Sequence, residues 1–327
     1  MSRSWRIFLS LFRLIRYDEV FVLQGTPLMG AAFAIGDVTT EKLKIFLLFV
    51  VASFLLVAHI FTFNDWAEIC ALKDSNKATA QTGSQDSKPR RLLLFSLFLL
   101  LASVLFFAFL PRPTLVLAVI TAGIGIFYSH PVLNGKCIPI VCSLTHFFGG
   151  LLHFLLGYTL FSPLDQRGVL IAVFFALTFT AGHLNHEVSD FDVDRQNRLN
   201  TNAVAFGKRR VFLAGLTVFT LAYVWMLILA GSGLVPRVLA LLPILFYPLH
   251  VFWSVRALRD GLSSDSLSRF QIRYRLLYAI IGLGVLFALF GGWGRQGKRG
   301  STSYSFDHGE RAEISRSGAQ FQIADRD

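Results

Sequence analysis

Charged residues are scarce in this sequence. Only 16% of its 327 residues are Asp, Glu, Lys or Arg, whereas 54% are hydrophobic and the mean hydropathy is +0.57. A soluble domain of this size needs far more charge on its surface, so the composition excludes a soluble globular protein. We therefore predict an all-α, polytopic membrane protein.

Cysteine is also rare: the chain contains only Cys70, Cys137 and Cys142. Three cysteines cannot form the disulfide framework of a small secreted domain. The first two also fall on the side predicted below to be cytoplasmic, where thiols stay reduced. We predict no chemical role for any of them.

Acidic residues are outnumbered, with 20 Asp and Glu against 31 Lys and Arg, which gives a formal net charge of +11. If the amino terminus is cytoplasmic, 20 of the 31 basic residues lie in the amino-terminal arm and the loops on that side, and 5 lie in the opposite loops. This asymmetry follows the positive-inside rule. It accounts for the charge without a nucleic acid, which we exclude as a partner.

Long apolar runs, in contrast, are abundant. A spanning helix needs about 20 mostly apolar residues, and the sequence contains about nine such runs. We predict a transmembrane domain over residues 20–290, after an amphipathic cytoplasmic segment (1–19) and before a disordered polar tail (291–327). The predicted spans are residues 20–36, 43–63, 92–110, 113–128, 138–162, 168–184, 211–231, 235–256 and 271–290.

Two acidic motifs, NDWAE and HEVSDFDVD, begin two long polar loops, 64–91 and 185–210, on the predicted cytoplasmic side. On a helix, residues at i, i+3 and i+7 share one face, so the acids of each motif would point together. Clustered like charges at a membrane boundary need a cation among them. A hard divalent cation with oxygen ligands fits, and Mg²⁺ is the usual one beside a phosphate ester. The simpler alternative is a set of ordinary solvated loop acids.

Basic and phenolic side chains lie near both motifs. Arg195 and Arg198 follow the second motif, and such residues bind phosphate oxygens well, although positive-inside loops are basic in any case. A short inner loop places Tyr128 and Lys136 eight residues apart on the same side, where Tyr and Lys are also common membrane anchors. The basic residues after the first motif are Lys73, Lys77, Lys88, Arg90 and Arg91.

The same residues are compatible with three other functions, each of which lacks part of its signature. His183 and His186 beside Glu187 form neither HExxH nor its inverse, and a zinc site would need a further ligand that the sequence does not nominate. A secondary transporter would carry its acids near mid-span, not at helix ends. A phosphatidyltransferase of the CDP-alcohol type needs Asp-Gly and further glycines between its acids, and neither motif has them.

Together these motifs resemble the UbiA superfamily of intramembrane prenyltransferases, over nearly the whole chain up to about residue 290. That family has nine transmembrane helices, a first motif NDxxDxxxD, a linking YxxxK-type loop and a second motif DxxDxxxD. The run DFDVDRQNRLNTNAVAFG, from Asp190 to Gly207, is similar to the second. In the first, Glu68 replaces an Asp, and Leu72 stands where the third acid belongs, with Asp74 two residues on.

The resemblance implies a UbiA-like bundle that transfers a prenyl group from a polyprenyl diphosphate to an acceptor, which we expect to be aromatic, with Mg²⁺ as cofactor. The active site would face the cytoplasmic side of a bacterial inner membrane, with the lipid bilayer as a partner. Because Leu72 replaces the third acid of the first motif, an alternative is a family member that binds prenyl lipid without catalysing its transfer.

The resemblance also implies a role for each motif residue. The implied metal ligands are Asn64, Asp65, Glu68, Glu187, Asp190 and Asp194. The implied catalytic residues are Asp65, Asp190, Asp194 and Tyr128. The implied diphosphate-binding residues are Asn64, Lys136, Arg195 and Arg198. Candidate acceptor contacts are His146, His153 and Arg16.

Overall fold

A computed structural model describes residues 15–77 and 88–291, and the side chains of all of these except 71–77 and 88. The described chain is helical and contains no strand, which confirms the predicted all-α class. The helices are α1 (Tyr17–Leu23), α2 (Gly25–Ala34), α3 (Thr40–Lys77), α4 (Lys88–Phe107), α5 (Arg112–Ser129), α6 (Val141–Tyr158), α7 (Gln166–Gln196), α8 (Asn202–Phe206), α9 (Lys208–Gly231), α10 (Leu241–Arg259) and α11 (Ser264–Phe290).

Some predictions fall outside these residues. The amphipathic segment before Ile15 and the tail after Gly291 are not described. The same holds for the side chains of Leu72, Asp74 and the neighbouring lysines, on which the departure from the first motif depends.

Eight helices in the described part of the chain are long and apolar enough to cross a membrane. The ninth predicted span, 20–36, is present as α1 and α2, which meet at Gln24. Pro27 explains the interruption, because it lacks the N–H that would bond to the carbonyl of Leu23 and its ring crowds that turn. The chain at Gln24 remains right-handed helical, so the two pieces continue in one direction.

Close contact between α2 and α6 depends on two glycines. A Cβ added to Gly30 would lie 2.0 Å from the carbonyl oxygen of Phe154, and one added to Gly157 would lie 1.8 Å from that of Pro27. Both distances are far inside van der Waals contact, so only glycine allows the two backbones to approach this closely. Small residues serve the same purpose in helix pairs packed in lipid.

Large apolar side chains cover the outside of the bundle as well as its core. Phe49 and Phe154 are fully buried, whereas Phe98, Phe252 and Phe287 are 63%, 60% and 70% exposed. Exposed phenylalanine in such numbers is costly in water and favourable against lipid chains. The distribution agrees with an integral, multi-pass membrane protein.

Helices α3 and α7 extend beyond the apolar runs that predicted them. The expected spans end at residues 63 and 184, but the helices continue to Lys77 and Gln196. Neither extension contains Gly or Pro, so nothing in the local sequence ends the helix where the apolar run ends. Both acidic motifs therefore lie on helices and not in loops, which corrects the loop assignment of residues 64–77 and 185–196.

Candidate active site

The first acidic motif lies on the polar extension of α3 and is tied to the loop after α5. Asn64 donates a hydrogen bond from Nδ2 to Oε1 of Glu68 at 2.9 Å, one helical turn away. Lys136 donates from Nζ to the same oxygen at 3.1 Å, and Ser129 donates from Oγ to Oδ1 of Asn64 at 3.2 Å. The predicted Tyr-Lys loop and the first motif thus form one site.

Asp65, which lies between Asn64 and Glu68 in the sequence, has a different partner. Its Oδ1 lies 3.4 Å from one guanidinium nitrogen of Arg16. The other terminal nitrogen of Arg16 pairs with Glu19 at 2.5 Å. Partial burial lowers the pKa of Arg16, but Glu19, Asp65 and Glu68 more than offset this and hold it above its ordinary value. A permanent cation from the segment before α1 therefore faces the first motif.

Two acids of the second motif lie half-exposed at the end of α7. Asp190 is 3.3 Å from Nδ1 of His186, and Asp194 accepts a hydrogen bond of 3.1 Å from Oγ1 of Thr201. In the described part of the chain, neither acid pairs with a Lys or Arg within 4 Å. Lys136 is close enough to Asp194 to act on it electrostatically. It therefore lies between the two motifs.

Glu187, the third acid of this motif, is oriented differently. It is only 6% exposed, and its Oε1 accepts a hydrogen bond from Sγ of Cys142 at 3.3 Å. Nε2 of His183 lies 3.2 Å from the same oxygen, and Nδ2 of Asn202 donates to Oε2 at 3.0 Å. The sequence groups Glu187 with Asp190 and Asp194, but the structure turns it into the interface between α6 and α7.

Aromatic rings lie beside the acids. The ring of His146 packs face to face on His183 with centroids 3.5 Å apart, and edge-on against Tyr128 at 5.0 Å. The ring of Phe179 also packs against His146, with centroids 5.5 Å apart. His153, the other predicted acceptor contact on α6, is buried two turns further along the helix. The structure thus brings Tyr128 and His146 together and leaves His153 apart.

The two predicted phosphate-binding arginines lie at the edge of the site. Arg195 is in the last turn of α7, and Arg198 follows it with φ of +57°, and both are exposed. No hydrogen bond or ion pair within the described residues holds either side chain against the acids. Both side chains are therefore exposed to solvent and do not order the acids.

Asn202 is a site residue that the sequence did not single out. Besides Glu187, its amide donates to Sγ of Cys142 at 2.9 Å, and its Oδ1 accepts from the backbone N–H of Ile140 at 2.6 Å. Ile140 has φ of +68°, a costly conformation for a β-branched residue, and this hydrogen bond helps to hold it. In the sequence, the only sign that Asn202 belongs to the site is its position directly after Thr201, a residue that matches the second family motif.

Comparisons with known proteins agree with this architecture. The sequence profile of the UbiA prenyltransferase family matches residues 25–281. No curated protein sequence gave a significant match. Among solved structures, one of digeranylgeranylglyceryl phosphate synthase is similar with a TM-score of 0.62 at 16% identity, covering 86% of this chain and 97% of its own.

Two structures of a UbiA homologue from Archaeoglobus fulgidus are also similar, each with a TM-score of 0.59. One is bound to DMAPP and Mg²⁺ (14% identity) and the other to GPP and Mg²⁺ (17% identity). Each comparison covers 84% of this chain and 98% of the homologue. These structures share the fold, and the family profile covers most of the chain, so the protein belongs to the UbiA prenyltransferase family.

Proposed function

We propose that the protein catalyses Mg²⁺-dependent transfer of a prenyl group from a polyprenyl diphosphate to an acceptor, expected to be aromatic, at the cytoplasmic face of the membrane. The observation that carries the proposal is the meeting of two acidic helix ends around one lysine, Lys136. Related structures hold DMAPP or GPP with Mg²⁺, which supports the same class of donor here.

The side chains present fit a hard divalent cation. The donor atoms that the two helix ends present are all oxygens, and those of Asp190 and Asp194 lack a Lys or Arg partner in the described residues. We propose Asn64, Asp65, Glu68, Asp190 and Asp194 as Mg²⁺ ligands. Glu187 is left out because buried neighbours surround its carboxylate. The bound metal would supply positive charge that neutralises the diphosphate leaving group.

The chain's own residues would do the remaining work. Lys136, and Arg195 and Arg198 at the rim, would bind diphosphate oxygens and stabilise the charge that develops as the allylic C–O bond breaks. The ring faces of Tyr128 and His146 would lie against the allylic cation, since such faces attract positive charge.

The prenyl chain and the acceptor would then be placed by the membrane setting. An isoprenoid tail beside the apolar helices would gain about 0.8 kcal/mol for each buried CH₂ group. The acceptor's electron-rich carbon would attack the allylic cation and lose its proton to a basic group nearby. Acids at helix ends suit this chemistry better than transport, which needs them near mid-span.

The test is diphosphate release from radiolabelled prenyl diphosphates of several lengths by purified protein, with and without Mg²⁺, against a panel of acceptors. The double variant Asp190→Ala/Asp194→Ala should lose Mg²⁺-dependent release. Asp192→Asn is the matched control, because Asp192 lies between them in sequence but pairs with Lys208 at 2.8 Å, and it should retain activity.

Two results would overturn the proposal. One is no Mg²⁺-dependent release from any donor by the wild type. The other is undiminished release by the double variant. Binding of prenyl diphosphate without any release would favour the family member that binds prenyl lipid without turnover.

A further inference from the structure

A cluster of three different metal-binding side chains lies beside the proposed magnesium ligands, on the amino-terminal side of Asp190 along α7. Cys142 is in the first turn of α6, and His183 and Glu187 are one turn apart on α7. One ligand atom from each lies within 4.8 Å of the other two. We propose that these three residues bind a thiophilic divalent ion of the Zn²⁺ class, at a site separate from the magnesium site.

The distances fit such an ion. With Zn–S near 2.3 Å and Zn–N and Zn–O near 2.0–2.1 Å, the ligand atoms of a tetrahedral site are about 3.3–3.6 Å apart. Here Sγ of Cys142 is 3.3 Å from Oε1 of Glu187, and Nε2 of His183 is 3.2 Å from the same oxygen. Two of the three distances thus match a tetrahedral site already, and the third, between Sγ of Cys142 and Nε2 of His183, is no more than 4.8 Å.

The cluster is enclosed and has an unsatisfied donor. Cys142 is fully buried, and the side chains of Glu187 and His183 are 6% and 8% exposed. Nε2 of His183 makes no hydrogen bond of good geometry, although it points at the carboxylate. Nε2 of His59, His153 and His250 also lacks a partner, but among the described residues only that of His183 has a thiol and a carboxylate beside it, and a metal bond would satisfy it.

Ligand chemistry separates this site from the magnesium site. Sulfur, imidazole nitrogen and carboxylate oxygen together suit Zn²⁺ and related ions, whereas Mg²⁺ takes oxygen ligands. The sequence alone could not complete a zinc site around His183 and Glu187, because the third ligand comes from another helix. Coordination would release the thiol proton of Cys142 to solvent, since the thiolate is the ligand.

Neighbouring residues hold the three ligands in place. Nδ2 of Asn202 donates to both Cys142 and Glu187, and the ring of His146 stacks on that of His183. Such outer contacts fix ligand orientation and typically change metal affinity by about 10–100-fold when lost. The bound ion would join α6 to α7 where both helices reach the active site.

Cobalt spectroscopy tests this site without prenyl diphosphate or turnover. Metal-free protein in detergent, titrated with Co²⁺, should develop a thiolate-to-cobalt charge-transfer band that saturates at one equivalent, is displaced by Zn²⁺ and is unaffected by excess Mg²⁺. Cys142→Ser should abolish the band, and His183→Gln should weaken Co²⁺ binding at least about tenfold. Cys70→Ser and Cys137→Ser are matched controls and should leave it unchanged.

A band that is absent from the wild type, or that persists in Cys142→Ser, would overturn the site. If Cys142→Ser does not fold, the double variant Cys70→Ser/Cys137→Ser retains Cys142 as its one cysteine and must still give the band. Because these spectra do not depend on activity, failure of this site and failure of the proposed prenyl transfer can be told apart.

Discussion

The acids on α3 are paired with cations from other segments, whereas the half-exposed acids on α7 are held without Lys or Arg. On α3, Asp65 faces Arg16 and Glu68 accepts from Lys136. Much of the negative charge there is already balanced by the protein. A metal ion at this motif must share its carboxylates with existing partners.

On α7 the balance is different. Asp190 has His186 beside it and Asp194 has the hydroxyl of Thr201, so the geometry of each carboxylate is set while little of its charge is neutralised. Fixed, uncompensated carboxylates favour a divalent cation more strongly than paired ones. We therefore expect the α7 motif to contribute more to metal binding, and the α3 motif more to positioning.

The largest expected effect separates the two motifs directly. Asp194→Asn should lower kcat/KM for the prenyl diphosphate by about 10³-fold, because it removes a carboxylate that no Lys or Arg pairs with. Asp65→Asn should cost less, about 10–100-fold, because Arg16 already balances that acid. Steady-state kinetics at saturating Mg²⁺ measures both, and an equal or larger loss for Asp65→Asn would reverse the comparison.

The next effect concerns the residue between the motifs. Lys136→Gln removes a charged hydrogen bond to Glu68 and a cation that acts electrostatically on Asp194, so we expect about a 10–100-fold loss of kcat/KM, mainly as a higher KM for the donor. Lys136→Arg should recover part of it. Lys208→Gln, which removes a lysine paired with Asp192 outside the site, is the control; equal losses in both would mean that Lys136 acts only through general surface charge.

The sequence predicts the helical class and most spans, because apolar runs are local signals, and the alternation of the spans predicts that both motifs lie on one side of the membrane. It does not predict where α3 and α7 end, because an apolar run shows which part of a helix lies within the membrane and not where the helix ends. Nor does it predict the burial of Glu187, which depends on Cys142 from α6 and Asn202 from α8. Contacts between distant segments leave no spacing pattern in a single sequence.

A smaller effect tests whether neutral groups position the α7 acids. Thr201→Val deletes the hydrogen bond that orients Asp194, so we expect about a fivefold decrease in kcat/KM, equivalent to about 1 kcal/mol of transition-state stabilisation, and a loss of folding stability of at most about 1 kcal/mol. Thr217→Val is the matched control, because that hydroxyl donates to the carbonyl of Leu213 in its own helix and, among the described residues, to no acid of the site. Unchanged activity in Thr201→Val would show that Asp194 keeps its orientation by other means.

The smallest expected effect is that of Arg16→Gln. The ion pair with Asp65 is partly exposed, with side chains 37% and 29% accessible, so its loss should cost no more than about 1 kcal/mol of stability, and less at high salt. Thermal unfolding in detergent at two salt concentrations measures this.

Removing Arg16 also makes the α3 motif resemble the α7 motif, since Asp65 then lacks a cationic partner. The Mg²⁺ concentration for half-maximal activity should therefore fall, by about two- to fivefold, if the pair is worth up to about 1 kcal/mol. A large loss of activity at saturating Mg²⁺ would contradict this. It would place Arg16 in contact with a substrate, so that this cation would serve the acceptor or the diphosphate and would not simply balance the charge of Asp65.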